Sequence, residues 1–592
     1  MDGKPGTQQA GDPRQMRWSP TRWLPPLDWL RGYSRQTAAR DLLAAVIVAV
    51  LLIPQSLAYA LLAGLPAEMG LYASILPLVL YALFGTSRTL SVGPVAVISL
   101  MTATAIGKVA TQGSADYATA AIAMTMMSGL MLMCMGLLRF GELANLLSHP
   151  VVSGFITASG VIIALSQMRH ILGIPGHGDN LPALFDSMLG GVSDYRPATV
   201  LVGLSALLFL LGMRRYLARL LQWLGLSATM ADICVKAGPV LVIGITIAVS
   251  YSLDLEAMGV AVVGDVPRGL PAFSTPLLNL ALWSELAVSA LLVSLIGFVE
   301  SVSVGKTLGA KRRQSIDPNQ ELLALGAANV ASAFSSGFPV TGGFSRSVVN
   351  YDAGAQTQMA GIMAAVGIAV ATLFLTPVLY YLPHATLAAT IIVAVTGLID
   401  VSLVRRAWRY SRRDFIAVVV TIAATLGMGV ELGVLAGIVV SISLHLHKTA
   451  RPHIAIVGEV PGTEHFRNIM RHDVITYPSI VSVRVDESLY FANASYLESA
   501  VYAIVAGRSD VRHIILQCTA VNEIDLSALE TLEQINHRLG EQGISLHMSE
   551  VKGPVMDALR RTEFIDGLSG QIYLSQHQAV ESLRPMGGVS AA

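Results

Sequence analysis

The chain between Asp41 and Lys448 is dominated by long runs that contain no Asp, Glu, Lys or Arg. A helix needs about 20 apolar residues to cross the hydrocarbon core of a bilayer, so these runs are candidate membrane spans. They are 42–67, 69–87, 89–107, 117–138, 143–168, 197–213, 237–253, 286–299, 322–345, 353–399, 415–430 and 432–447. The run 353–399 has room for two spans, broken near Pro377 and Pro383, and Arg346 interrupts a further one. The pattern predicts an all-α transmembrane domain over residues 41–448, with about fourteen membrane segments.

Composition supports a membrane protein. Of the 592 residues only 13% are charged and 53% are hydrophobic, whereas a soluble globular domain has about 25% charged residues. Lys and Arg number 39 and Asp and Glu also 39, so a zero net charge gives no electrostatic reason to expect nucleic-acid binding. The sequence has no phosphate-binding Gly-Lys loop and no zinc-ligand spacing. It therefore predicts no metal site, no cofactor, no ATP-driven pump and no membrane enzyme.

Basic residues are distributed unevenly between alternate loops. With the N-terminus inside, the inside loops receive the clusters at 214–219, 306–313 and 405–413. The outside loops receive only Lys108, Arg169, Arg196 and Arg268. Because short cytoplasmic loops retain Lys and Arg, this bias predicts a multi-pass protein of the cell (inner or plasma) membrane. Both termini would be cytoplasmic, with residues 1–40 forming an Arg-rich cytoplasmic segment.

After Arg451 the sequence becomes typical of a soluble domain. Strands are predicted at 480–485 and 514–516, and helices at 495–507 and 527–539. Alternation of strands and helices predicts a small cytoplasmic α/β domain over 474–584. A linker, 449–473, would precede this domain and a tail, 585–592, would follow it.

Two clusters of helix-breaking residues interrupt the apolar runs. One is Ser91–Val97, which contains Gly and Pro, and the other is Gly337–Ser347. Gly93 and Gly343 lie 250 residues apart, which suits two inverted halves of seven helices each. Free N–H groups and the partial positive charge at each helix start would favour an anion between the two breaks. The alternative is that Gly and Pro only kink these helices for packing.

Charged residues accompany the second half of this repeat. Glu300 corresponds approximately to Gln55, 245 residues earlier, and both would face the cleft. An acid within an apolar span is costly, so Glu300 is predicted to be an ion or proton site. Arg346 at a helix start needs an anionic partner, either Glu300 or a substrate. The alternatives are that Glu300 reaches water beside Lys306, and that Arg346 extends to the membrane surface. His149 and His384, at probable span ends, are interpreted as interfacial residues rather than ligands.

Several motifs together resemble the SulP (sulfate permease, solute carrier 26) anion transporter family. They are Ile53–Ala60, Gly70–Ser74, Gly93–Ala96, Glu300–Ser303, Gly343–Asn350 and Ala353–Thr357. Val483–Val485 leading into Ser488–Ala494 resembles a C-terminal STAS domain. The resemblance covers nearly the whole chain. It implies a seven-plus-seven inverted repeat divided into core and gate domains, an elevator-like movement and a homodimer.

The same resemblance implies a site and a substrate class. The anion would be bound by Gln55, Tyr59, Val95, Ala96, Ser345 and Arg346, and Glu300 would couple transport to protons. Members carry sulfate, bicarbonate, chloride, oxalate or dicarboxylates, so the fold does not select the substrate. The stretch 53–99 looks most like plant-type proton-coupled sulfate transporters, which predicts proton-coupled sulfate symport. A bicarbonate or dicarboxylate carrier remains an alternative.

An alternative from another functional class is that the membrane domain does not transport and only anchors a STAS signalling module. The paired breaks and the intramembrane Glu300 and Arg346 argue against it, because an anchor would not need them. In some STAS domains a serine in an Asp-x-Ser-Gly turn is phosphorylated. Here the turn reads Asp525–Ala528 and lacks the glycine, so the favoured role of Ser527 is a helix N-cap, and a regulatory phosphosite is the alternative.

Overall fold

The structure is a computed structural model. It describes residues 25–145, 148–176, 178–228, 231, 234–235, 237–265, 269–276, 279–374, 376–584 and 590–591. Much of the predicted N-terminal segment (1–24), Arg268, and most of the predicted tail (585–589 and 592) lie outside these residues. The chain divides into two compact units, Met1–Ser441 and Ile442–Ala592.

Helices make up the first unit. Among the described residues, seven are long and apolar enough to cross a membrane: Arg35–Leu62, Ala67–Phe84, Ala115–Leu137, His149–Leu172, Pro197–Trp223, Leu280–Lys311 and Val430–Ala450. Seven shorter segments lie between them along the chain: Ala96–Ile106, Gly238–Leu253, Pro318–Phe334, Phe344–Asp352, Met359–Phe374, His384–Val395 and Arg412–Met428. Shorter helices include Pro26–Trp29, Leu181–Gly191, Thr376–Leu379 and Val401–Tyr410. The predicted all-α architecture of fourteen segments is confirmed, and the run 353–399 does form two of them.

The two predicted breaks meet each other. Val92–Gly93 and Thr341–Gly342 are extended and pair as antiparallel strands, with Val92 opposite Gly342 and Gly93 opposite Thr341. We call this pair the strand crossing. Each of its strands leads into a short helix, one in each half of the chain. Gly and Pro therefore break two helices at the same place, where their backbones satisfy each other's hydrogen bonds.

Close helix packing supports the strand crossing. The helix Pro318–Phe334 packs against Ala115–Leu137. A Cβ atom added to Gly326 would lie 2.8 Å from the carbonyl oxygen of Gly129, so the two backbones are in contact. Small residues permit such an approach between membrane helices. The same helix carries Asn329, whose side chain bonds to Val340, the residue that precedes the crossing strand Thr341–Gly342.

The second unit is an α/β domain. Its strands Ile480–Val485, His513–Gln517, Ser545–Ser549 and Ile572–Tyr573 are parallel, in that order across the sheet. The helices are Ala494–Ala506, Leu526–Glu541, Gly553–Leu559 and Gln576–Leu583. The predicted strands and helices of this domain are confirmed to within two residues at each end. Ile475–Thr476 and Ser590–Ala591 add a short antiparallel edge.

The segment 449–473 differs from its prediction as a linker. It contains the strands Ile454–Glu459 and Phe466–Asn468, and the first pairs antiparallel with Ile480–Val485. Gly458 and Pro461 interrupt the alternation of apolar and polar residues, which leaves too short a pattern to predict a strand at 454–459. Pairing with the neighbouring strand defines this edge of the sheet. The outer limits of the domain, 474–584, stay a prediction.

A pair of neighbouring histidines, of which His547 is buried, gives this unit a pH dependence. The backbone N–H of Gln571 donates to Nδ1 of His547 (3.0 Å), whose Nε2 lies 3.2 Å from Nδ1 of His513. Burial, and secondarily His513, lower the pKa of His547 to about 4. An unfolded histidine titrates near 6.5, so the unfolded chain takes up the proton first as pH falls. We therefore expect the unit to lose stability between pH 6.5 and about 4.

The measurement is hydrogen–deuterium exchange in the full-length protein, corrected for intrinsic rates, on peptides from Ser545–Ser549 at pH 7 and pH 5. Protection should decrease at pH 5. His537→Gln removes an exposed histidine and should retain the same dependence. Equal protection at both pH values would contradict the role of His547.

Candidate functional site

The strand crossing is held by the helix that carries Glu300. Ser301 Oγ lies 2.7 Å from Thr341 Oγ1 and accepts a hydrogen bond from the N–H of Gly342 (2.9 Å). Ser301 is fully buried and adjoins Glu300 in sequence. The contact therefore fixes one crossing strand against the segment that presents the acid.

Other buried side chains complete the support. The amide of Asn329 donates to the carbonyl oxygen of Val340 and accepts from its N–H, each at 2.9 Å. Ser347 Oγ accepts from the N–H of Ser91 at 3.0 Å. These side chains satisfy the backbone polar groups that the breaks remove from helices, which makes irregular backbone tolerable at this depth.

Two helix starts adjoin the strand crossing. Ala96–Ile106 begins after Val95, and Phe344–Asp352 begins after Gly343; neither has a side-chain cap. The first N–H groups of a helix have no partner within it and carry a partial positive charge. Val95 is buried, whereas Ser345, in the first turn of the second helix, is exposed. Two uncapped starts provide a place where an anion is stabilised.

Arg346 brings a full positive charge to the same place. Its side chain is only 3% exposed, and Nη2 donates to the carbonyl oxygens of Gly93 (2.9 Å) and Thr341 (3.3 Å). Nη1 is buried and has no hydrogen-bond partner among the described residues. A Cβ atom at Gly93 would lie 2.6 Å from Nη1, so glycine makes room for the guanidinium group. A buried cation with an unused N–H donor can bind an anion.

Glu300 is half-buried beside this cation. Within the described part of the chain its Oε2 is a buried atom without a hydrogen-bond partner, as is Nη1 of Arg346, so these two atoms do not bond to each other. Glu300, Arg346 and Tyr59 are nevertheless near enough to interact electrostatically. Gln55, four residues before Tyr59, lies one turn away on the same side of its helix. That Arg346 pairs with Glu300 or with a substrate stays a prediction.

Two other buried acids in the first unit were missed by sequence reasoning. Glu321 accepts hydrogen bonds from Tyr81 (2.8 Å), from Thr86 (2.6 and 2.8 Å) and from the N–H of Ser87 (3.0 Å). Asp41 accepts from the backbone and side chain of Thr357 and from a neighbouring N–H. Each acid adjoins an apolar run in the sequence, and this position was the signal that could have indicated its burial. Both carboxylates are satisfied by the protein, whereas one oxygen of Glu300 is not.

Gly343→Ala tests whether the guanidinium group must lie where it does. The backbone of Gly343 permits alanine, but a Cβ atom there would lie 2.9 Å from Nε of Arg346 and 3.0 Å from Cγ1 of Val95. We expect a folded protein whose anion uptake is reduced about tenfold, because the guanidinium group is displaced. Gly244→Ala, where an added Cβ meets nothing within 4 Å, is the control. Wild-type uptake by Gly343→Ala would contradict the position given to Arg346.

In the second unit, the prediction that Ser527 caps its helix is wrong. Asp525 is the N-cap, and its side chain accepts from the N–H of Ala528 at 2.8 Å. Asp525 also accepts from the N–H of Phe491, which anchors it between two segments. Ser527 is exposed at the second helical position. A regulatory role for Ser527 stays a prediction.

Comparison with known proteins agrees with this architecture. The sulfate permease family model matches residues 39–421, and a STAS domain model matches residues 471–579. The chain belongs to the sulfate permease family. This family member is a multi-pass membrane protein with a C-terminal STAS domain.

Relatives of this sulfate permease family member include plant and bacterial proteins. The chloroplastic sulfate transporter 4.1 of Arabidopsis thaliana is 34% identical over 585 residues, covering 96% of this chain and 83% of that protein. A probable sulfate transporter of Mycobacterium tuberculosis is 32% identical over 570 residues, covering 95% of this chain and 98% of that protein. The structure of SLC26A9 has a TM-score of 0.86 at 23% identity and covers 95% of this chain and 92% of its own, so the two share a fold.

Proposed function

We propose that this family member is a secondary active anion transporter that takes up sulfate together with protons. The proposal is for a transporter rather than an enzyme, since the similar proteins named above are sulfate transporters. Transport would follow an elevator-like alternating access, with a core domain moving against a gate domain. The protein would act as a homodimer in the inner or plasma membrane with both termini in the cytoplasm.

One observation carries the proposal. Nη1 of Arg346 and Oε2 of Glu300 are both buried without a partner, and they adjoin two uncapped helix starts. Unsatisfied buried charges are costly, so a protein retains them where a ligand completes them. A divalent oxyanion would use the guanidinium group and the free N–H groups of both helices. The proposed anion site comprises Gln55, Tyr59, Val95, Ala96, Ser345 and Arg346.

Charge balance couples the anion to the proton. When Glu300 is ionised, its negative charge opposes a dianion near Arg346. When Glu300 is protonated, the charge of Arg346 becomes available to the substrate, so each ligand increases the affinity for the other. A core domain that carries both the dianion and the proton has a smaller net charge during its movement than a core domain that carries the dianion alone.

Uptake of radiolabelled sulfate into proteoliposomes tests this function. We expect saturable uptake by the wild-type protein that an inward proton gradient stimulates. Uptake that ignores the gradient would support sulfate and contradict proton coupling. If sulfate is not taken up, uptake of radiolabelled bicarbonate and dicarboxylates tests the alternative that the protein is a bicarbonate or dicarboxylate carrier. No transport of any of these anions would favour the membrane-anchored STAS signalling module.

A further inference from the structure

A second group of basic side chains in the first unit shares no residue with the proposed transport site. It lines a cleft of about 380 Å³ between His149–Leu172, Pro197–Gly212 and His384–Val395. The polar lining consists of Arg169, His170, Arg196, Thr199 and His384. No Asp or Glu is among the described residues that line this cleft. We call it the arginine cleft.

The two guanidinium groups of the arginine cleft are held by neutral groups. Nε of Arg169 donates to Nε2 of His170 (3.2 Å), and Nη1 donates to the carbonyl oxygen of Gly176. Nη1 of Arg196 donates to the carbonyl oxygen of Gly259 (2.6 Å). Within the described part of the chain, neither arginine forms an ion pair. Both side chains are thus oriented, while their charges and several N–H donors remain available.

Thr199 provides an independent sign of a ligand. Its side chain is 4% exposed, and its hydroxyl oxygen is a buried atom to which none of the described residues forms a hydrogen bond. Leaving a buried hydroxyl unpaired is energetically unfavourable, because its hydrogen bonds to water are lost and not replaced. Because Thr199 lines the arginine cleft, a ligand there can supply the missing partner.

The backbone also favours negative charge. Two helices begin at the arginine cleft, Pro197–Gly212 and His384–Val395, and neither has a side-chain cap. Their first turns add partial positive charge to that of the arginines. His384, interpreted from the sequence as merely interfacial, begins the second helix, and its ring lies 6.1 Å from that of His170.

We propose that the arginine cleft is a second anion site, which binds one oxyanion of the sulfate or phosphate type. Arg169 and Arg196 supply charge-assisted hydrogen bonds, and the hydroxyl of Thr199 donates to a third oxygen. The two imidazole rings form a wall of the site. The oxyanion can come from solution or from the phosphate of a lipid headgroup, since both present the same oxygens.

Sulfate binding to purified full-length protein in phospholipid-free detergent tests the site. Arg346→Gln is the parent protein, because it removes the main cation of the transport site. We expect the parent to retain saturable binding of radiolabelled sulfate. Adding Arg169→Gln and Arg196→Gln should weaken that binding at least about tenfold. Arg405→Gln, an exposed arginine elsewhere, should leave it unchanged.

Thr199→Val provides a second variant, because it keeps the side-chain shape and removes only the hydroxyl. We expect it to weaken binding about fivefold in the same parent. Sulfate affinity within twofold of the parent, in either the arginine or the valine variant, would overturn the proposal. If the variant with both arginine substitutions does not fold, the sulfate affinity of Thr199→Val decides whether the proposal stands.

Short-chain phosphatidylglycerol identifies the source of the oxyanion. If the parent binds no sulfate but binds this lipid with the same dependence on Arg169, Arg196 and Thr199, the site is a lipid headgroup site and the proposal stands. If the parent binds neither probe, the proposal fails. Sulfate uptake by the wild-type protein is measured separately, so failure of the arginine cleft and failure of the transport function are distinguishable.

Discussion

Glu300→Gln abolishes the stimulation of sulfate uptake by an inward proton gradient, while uptake without a gradient stays within about threefold of wild type. Glutamine has the shape and the neutral charge of protonated glutamate but cannot release a proton. Because Oε2 of Glu300 has no protein partner, the substitution removes no hydrogen bond at that atom. The expected protein is folded, and its sulfate uptake no longer depends on the gradient.

Two other acids serve as controls. Glu285→Gln makes the same change at an exposed position of the same helix and should leave the gradient response intact. Glu321→Gln changes a carboxylate that three residues satisfy, so it should lower the free energy of unfolding by about 3 kcal/mol. Gradient-stimulated uptake by Glu300→Gln would refute proton coupling at this residue.

Arg346→Gln reduces sulfate uptake by about a hundredfold, because it removes the cation and its charge-assisted hydrogen bonds to the anion. The contacts of Ser301, Asn329 and Ser347 do not involve Arg346, so the strand crossing should persist. Arg346→Lys should recover part of the uptake, since a lysine keeps the charge but not the planar pair of donors.

Thermal unfolding in the presence of sulfate separates a binding defect from a folding defect. A ligand that binds only the folded state stabilises it, so sulfate should raise the unfolding temperature of the wild-type protein. We expect a clearly smaller rise for Arg346→Gln than for the exposed-arginine variant Arg405→Gln. An undiminished rise together with wild-type uptake would place the substrate elsewhere.

Local sequence determined much of this protein. The membrane segments and the two breaks follow from apolar runs and from Gly and Pro, which act within a few residues of their own position. The central strands and helices of the STAS domain follow from alternation of the same local kind. The motifs from Ile53–Ala60 to Ala353–Thr357 together indicated the family.

Only the tertiary structure decided which buried charges the protein satisfies itself. Glu321 and Glu300 look alike in sequence, since both adjoin apolar runs. The donors to Glu321 lie at Tyr81 and Thr86, more than 230 residues away in sequence, whereas no donor from the residues that the structure describes reaches Oε2 of Glu300. Asp525, not Ser527, is the helix cap; its bond to the N–H of Ala528 is local, but its second donor, the N–H of Phe491, lies 34 residues away. Hydrogen-bond satisfaction depends on groups that folding brings together from distant segments, so no local pattern encodes it.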